Sequence, residues 1–212
     1  PLTWLASEWK ADIISKKIPY FFYDYTLYED TFKESLEKVL IEITNNSVQH
    51  SESFPFICAW LIDKNCLQIA IVDAGIGIQQ SLIDAFWSLT QEKAILTALD
   101  FEKTWNPNGI RNTIYWWVEK TINAGIWLPL SLQLTLCNWW DFFLCSGNKL
   151  FSATWNNQLD DFLVELDDLD CFWRWTIAVI NVKLDVEHST NPFDAYKNTE
   201  NFIKGLLSKI KN

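Results

Sequence analysis

Ile69-Ala70-Ile71-Val72-Asp73-Ala74-Gly75-Ile76-Gly77-Ile78 is the stretch on which the reading of the fold turns. An apolar run of strand-forming residues delivers a carboxylate at its end, and two glycines follow at once. Glycine lets backbone approach a planar ligand without interference from a Cβ. A carboxylate at the mouth of an apolar pocket can accept a hydrogen bond from an exocyclic amine such as that of adenine. A strand that simply ends in an Asp/Gly turn has the same appearance in isolation.

Upstream, Phe56–Ile62 pairs naturally with Leu67–Val72 across Asp63-Lys64-Asn65, a hairpin signal. Before it, Phe32, Leu36, Val39, Leu40, Ile43 and Val48 recur at helical spacing and predict a helix over Glu29–Ser51. Downstream, Gln91–Leu99 reads as a short helix, followed by the turn signal Asn106-Pro107-Asn108-Gly109. Thr113–Ala124 is expected to be helical up to Gly125. Extended runs are expected at Trp127–Cys137, Trp139–Cys145, Leu150–Trp155 and Trp173–Leu184, with Ser146-Gly147-Asn148 as a turn between two of them. An amphipathic helix is expected from Pro192 to Ile210. This order implies an α+β fold, a two-layer α/β sandwich whose mixed, mostly antiparallel sheet carries helices on one face. Residues 1–28 read as an extension packing on a main domain of residues 29–184, with 185–212 as a helical tail.

Composition narrows the function. The formal net charge of −10 repels nucleic-acid phosphates and anionic membrane surfaces, so neither is expected as a partner. No apolar run reaches the ~18 residues a membrane span requires. The five cysteines lie apart without C-x-x-C spacing, which implies reduced core thiols and a cytoplasmic setting. The chain starts at Pro1 and lacks methionine, so it is expected to be part of a longer polypeptide whose other domain, or another protein, is its partner. Its 13 tryptophans include several where a small residue is expected.

A second constellation lies on the first long helix. Glu42, Asn46 and His50 are four apart and fall in one stripe. A carboxamide oxygen can ligate Mg²⁺ while a carboxylate one turn away orients or deprotonates a water. A solvated polar stripe is the bland alternative. The acidic run Asp160, Asp161, Glu165, Asp167, Asp168 and Asp170 has the composition of a cation site, but a solvated loop is the expected reading.

Taken together, Val39–Ser51 and Asp73–Ile78 resemble the N box (E-x-x-x-N-x-x-x-H) and first glycine box (D-x-G-x-G-I) of the GHKL ATPases, the family of gyrase, histidine kinase and MutL. Ser81-Leu82, Glu92–Ile95, Ala98-Leu99, Ser146-Gly147-Asn148 with Phe151, and Trp175-Thr176 are similar to a bacterial, histidine-kinase-like branch with the Bergerat-type sandwich, in which a short helix opens an ATP lid. The resemblance spans roughly residues 30–184. It implies that Asp73 binds the adenine amine and that Gly75, Gly77 and Ile78 line the base. It implies further that Asn46 ligates Mg²⁺ and that Glu42 is the general base.

The family's second glycine box, G-x-G-L, resembles Gly109-Ile110-Arg111-Asn112-Thr113 only in part. One glycine is present, and Gly109, Arg111, Asn112 and Thr113 would carry the phosphate contacts. Trp175 stands where a glycine commonly precedes the threonine. The implied function is an ATP-binding, Mg²⁺-dependent ATPase or nucleotide-switched module. His50 and His188, the two histidines, do not sit on a preceding dimerisation helix, so a self-sufficient histidine kinase is not expected. The rival is an interaction module that keeps the fold without turnover, for which Trp139-Trp140 look like exposed contact residues.

Overall fold

The structure is a computed structural model and describes residues 3–4, 30–50, 55–82, 88–100, 127–184 and 192–211. It is an α+β fold. Strand β1 (Thr3–Trp4) precedes helix α1 (Asp30–His50), the hairpin β2 (Pro55–Asp63) and β3 (Cys66–Asp73), then helices α2 (Gly77–Leu82) and α3 (Gln91–Leu99). Helix α4 (Trp127–Cys137), strands β4 (Asp141–Asn156) and β5 (Asp161–Lys183), helix α5 (Pro192–Ser208) and a 3₁₀ turn at Lys209–Lys211 complete it. The sheet runs β1-β2-β3-β5-β4. A mixed sheet was the expectation, yet every pairing among the described residues is antiparallel.

The core follows from the periods of its elements. Along α1, Phe32, Leu36, Val39, Leu40 and Ile43 are buried, one stripe at helical spacing. In the sheet the period is two. Ile71, Ala178 and Leu144 form one cross-strand rung, and Ile69, Ile180 and Phe142 the next. All six are buried in the cluster that also takes in α1 and α4. The β2/β3 turn is tied by the Asn65 N–H donating to Asp63 Oδ1 at 2.7 Å, an Asx turn. Thr90 caps α3 by accepting from the Lys93 N–H at 3.2 Å. Ala195, Ile203 and Leu206 of α5 enter the same core, so the C-terminal helix is part of the main body. No helix among the described residues is long and apolar enough to cross a membrane.

Four expectations are corrected. Trp127–Cys137 alternates leucine with smaller or polar residues, which reads as a strand, but it is helix α4. Leu130, Leu132, Leu134 and Leu136 are buried, and so are Ser131, Gln133 and Thr135 between them. A segment buried all round carries no inside/outside signal, so the alternation says nothing about period. Ser146-Gly147-Asn148 is not a turn between strands. It lies inside β4 at a register shift opposite β5, with Gly147 at φ +67°. The acidic run from Asp161 to Asp170, expected as a solvated loop, forms exposed rungs of β5, and Lys149 Nζ pairs with Asp168 at 2.9 Å.

The fourth correction concerns Trp139-Trp140. Trp140 is fully buried, edge-on to Phe32 at 5.1 Å, and Trp139 is half-buried, stacked on Trp155 at 5.3 Å. The Trp139 N–H donates to the Leu136 carbonyl and the Trp140 N–H to the Thr135 carbonyl, at 2.9 and 3.0 Å. This is a Schellman ending for α4, with Trp139 at the left-handed position, φ +60°, that glycine ordinarily fills. At least one tryptophan therefore occupies a place whose backbone asks for glycine. Trp139→Ala loses the stack and keeps the strain, whereas Trp139→Gly loses the stack and relieves it. The glycine variant is expected to be more stable than the alanine variant by about 1–2 kcal/mol, measured by denaturant unfolding.

Candidate functional site

Asp73 is the last residue of β3, and the register makes it the end of an apolar ladder. Opposite it on β5 stands Thr176, and opposite Thr176 on β4 stands Ser146. These three share the face of Ile71, Ala178 and Leu144, one rung further along, because side chains in strands alternate. The sheet's buried face thus closes in a polar row. Asp73 and Ser146 are buried and Thr176 half-buried.

Burial pushes the Asp73 carboxyl up to about 6, against the opposing pull of the Gly75 N–H and of the Thr176 N–H and hydroxyl. The Gly75 N–H donates to Asp73 Oδ1 at 3.1 Å and folds the loop back over the strand end. The Ile78 N–H at the start of α2 donates to Ser146 Oγ at 3.0 Å. Loop and sheet are therefore joined on both sides of Gly77.

Gly77 has φ +78°, and a Cβ there would stand 2.5 Å from the Arg174 carbonyl oxygen. Its side-chain-free surface is used by β5 backbone. That explains this glycine by packing, where the sequence suggested contact with a ligand. Gly75 and Ile78 are buried beside it.

Helix α1 packs on β3 and carries Glu42 and Asn46 one turn apart. Glu42 is 6% exposed and Asn46 half-buried, so this stripe is not a solvated face. Burial raises the Glu42 carboxyl above its ordinary value, and the Lys38 ammonium, paired with it along the helix, opposes the shift. The structure thus brings Asp73, Gly75, Gly77 and Ile78 together and sets Glu42 and Asn46 on the helix packed against the same strand. Gly109, Arg111, Asn112 and Thr113 lie outside the described residues.

Thr176 and Ser146 are the site residues that sequence reasoning did not assign. The available signal was the register: in β5 the core residues Ala178, Ile180 and Val182 fix the parity that turns Thr176 inward. All five cysteines are free thiols, but none is a buried core residue: Cys58, Cys66, Cys137 and Cys145 are half-buried and Cys171 is exposed. Among the described residues no group of three His, Cys, Asp or Glu side chains stands together as a metal site. No protein-family model and no curated protein matches the chain, and its function must be argued from this polar row and its surroundings.

Proposed function

We propose that the chain is an ATP-binding module of GHKL type, in which the Asp73–Thr176–Ser146 row receives the adenine. The observation that carries this reading is a buried carboxylate, with a neighbouring hydroxyl and backbone N–H, at the end of an otherwise apolar sheet face. The donors already on it, the Gly75 N–H and the Thr176 N–H and hydroxyl, do not offset its burial, and the adenine amine is a further donor it can accept. On this reading α1, α4 and α5 form the helical layer of a Bergerat-type two-layer sandwich. Mg²⁺, a hard cation that keeps waters and substrate phosphates as most of its ligands, would take the Asn46 amide oxygen as its protein ligand. Glu42, whose raised carboxyl lies closer to neutral pH than an exposed one, would act as general base toward water.

Helix α4 packs on α1 and leads into β4. The phosphate contacts would come from Gly109, Arg111, Asn112 and Thr113, upstream of this helix in the chain. A reading as an interaction module without turnover draws on the exposure of Trp60, Ile62 and Phe172.

Two variants separate these readings. Glu42→Ala is expected to leave ATP binding nearly intact and to lower any hydrolysis by roughly 10²–10⁴-fold in a phosphate-release assay. Asn46→Ala is expected to remove the Mg²⁺ dependence of binding measured by calorimetry. Equal loss of binding in both variants would make the α1 stripe structural. A parent that binds no ATP would leave the interaction module.

A further inference from the structure

Beside the Asp73 loop, on the outer side of Gly77, lies a cleft of about 290 Å³ between α2, α3 and the β4/β5 pair. Its lining is unusual for this molecule. The chain carries a net charge of −10, yet no carboxylate lines this cleft. Gln79, Gln80, Gln91, Ser146, Phe172 and Arg174 supply its polar and aromatic side chains.

Three of these groups have unused binding capacity. Arg174 makes no ion pair among the described residues, although the acidic rungs of β5 lie just upstream, where Asp168 is taken by Lys149. Phe172 is 66% exposed, with no aromatic neighbour among the described residues. The Gln91 Oε1 is occupied by the Asn148 N–H at 2.7 Å, which turns the amide and leaves its NH₂ as the group still to be satisfied.

Phe172 and Arg174 both line the cleft, in the stretch of β5 where its register against β4 shifts between the Ser146–Thr176 and Lys149–Asp168 pairs. An aromatic face next to a guanidinium, with amide donors across the cleft, fits a ligand that has one flat ring and one anionic group. The ring would lie on Phe172 and the anion would meet the Arg174 fork, a geometry suited to carboxylate or phosphate. The cleft is small, and a ligand of one ring and one anion matches it better than a whole nucleotide.

We infer that this cleft is a second ligand site, adjoining the Asp73–Thr176–Ser146 row at Ser146, for a small monocyclic aromatic anion. Selectivity comes from joining ring and charge, since neither wall holds much alone. Asp73 and Thr176 do not line it, so a change at Asp73 tests the nucleotide reading without altering the cleft wall.

Phenyl phosphate and benzoate are the probes, titrated into the full chain and followed by amide chemical shifts. Saturable shifts are expected at Gln80, Gln91 and Phe172, with millimolar affinity for ligands of this size. Arg174→Gln and Phe172→Ala, both at exposed positions, should each weaken binding about tenfold while the folded spectrum stays intact. Inorganic phosphate alone should bind far more weakly than phenyl phosphate. Asp73→Asn, which tests the nucleotide reading, should leave phenyl phosphate binding unchanged. Absence of saturable shifts in the parent, equal binding of inorganic and phenyl phosphate, or indifference to Arg174→Gln would each overturn the proposal.

Discussion

Asp73→Asn is expected to make the empty protein more stable at neutral pH while taking away most of its hold on ATP. The carboxyl, raised from 3.8 to about 6 by burial, is harder to ionise in the folded chain than in the unfolded one. Its charge therefore costs stability, on the order of 1–3 kcal/mol at pH 7. The sign follows from the direction of the shift. The penalty is fully present above about 6, shrinks as pH falls through that value, and is gone below the ordinary carboxylate range.

The parent should accordingly gain stability on acidification from neutrality toward the ordinary carboxylate range. The variant should gain less, keeping only the part due to Glu42, which is raised in the same direction. Asparagine retains an acceptor for the Gly75 N–H, so the loop connection survives. Toward adenine the exchange is unfavourable, because the amide can present a donor where the amine needs an acceptor. A loss of about 10–100-fold in affinity is expected, measured by calorimetric titration. Denaturant unfolding across the acid range checks the other half. A variant less stable than the parent at neutral pH would show that the ionised carboxylate is fully compensated by its neighbours.

Gly77→Ala should be the most damaging single-methyl change near the site. The backbone there has φ +78°, and the added Cβ would meet the Arg174 carbonyl at 2.5 Å, a backbone atom that cannot swing aside. Left-handed strain and overpacking together should cost about 2–4 kcal/mol. The shift needed to relieve the clash would also pull the Ile78 N–H from Ser146 Oγ, so nucleotide binding should fall with stability. Gly205→Ala is the contrast. That glycine sits in α5 with nothing within 4 Å of a Cβ, and alanine should stabilise by about 0.5–1 kcal/mol through helix propensity. Comparable destabilisation at both positions would mean that the Gly77 turn gives way more readily than its geometry implies.

The parts of the fold that were legible in the sequence are those with one wet and one dry side. The stripe of α1, the β2/β3 hairpin and the boundaries of α3 follow directly from their periodicity and caps. Helix α4 reads as a strand because its faces are dry, so Leu130, Leu132, Leu134 and Leu136 alternate for no reason connected with a sheet. The long β4/β5 ladder reads as short runs because Ser146-Gly147-Asn148 has turn composition but forms a bulge within the ladder. At the site, Asp73 and its glycines declare themselves as a strand followed by a loop. Thr176 and Ser146 stand in local patterns that resemble the family, but their place beside Asp73 appears only when three strands are set in register, a long-range relation. Trp139 is a different case: its backbone is that of a glycine, and only the φ of +60° reveals the mismatch.

Thermal unfolding of the parent and of Asp73→Asn, each with and without ATP and Mg²⁺, decides whether the Asp73–Thr176–Ser146 row holds a nucleotide. At a hundredfold excess over its Kd a ligand stabilises the folded state by about 2.7 kcal/mol, a readily measured rise in Tm. The parent is expected to show that rise with ATP, larger when Mg²⁺ is present, and Asp73→Asn is expected to show little of it at the same concentrations. A parent whose Tm does not move with ATP, with or without the metal, would contradict the assignment of the Asp73–Thr176–Ser146 row to a nucleotide.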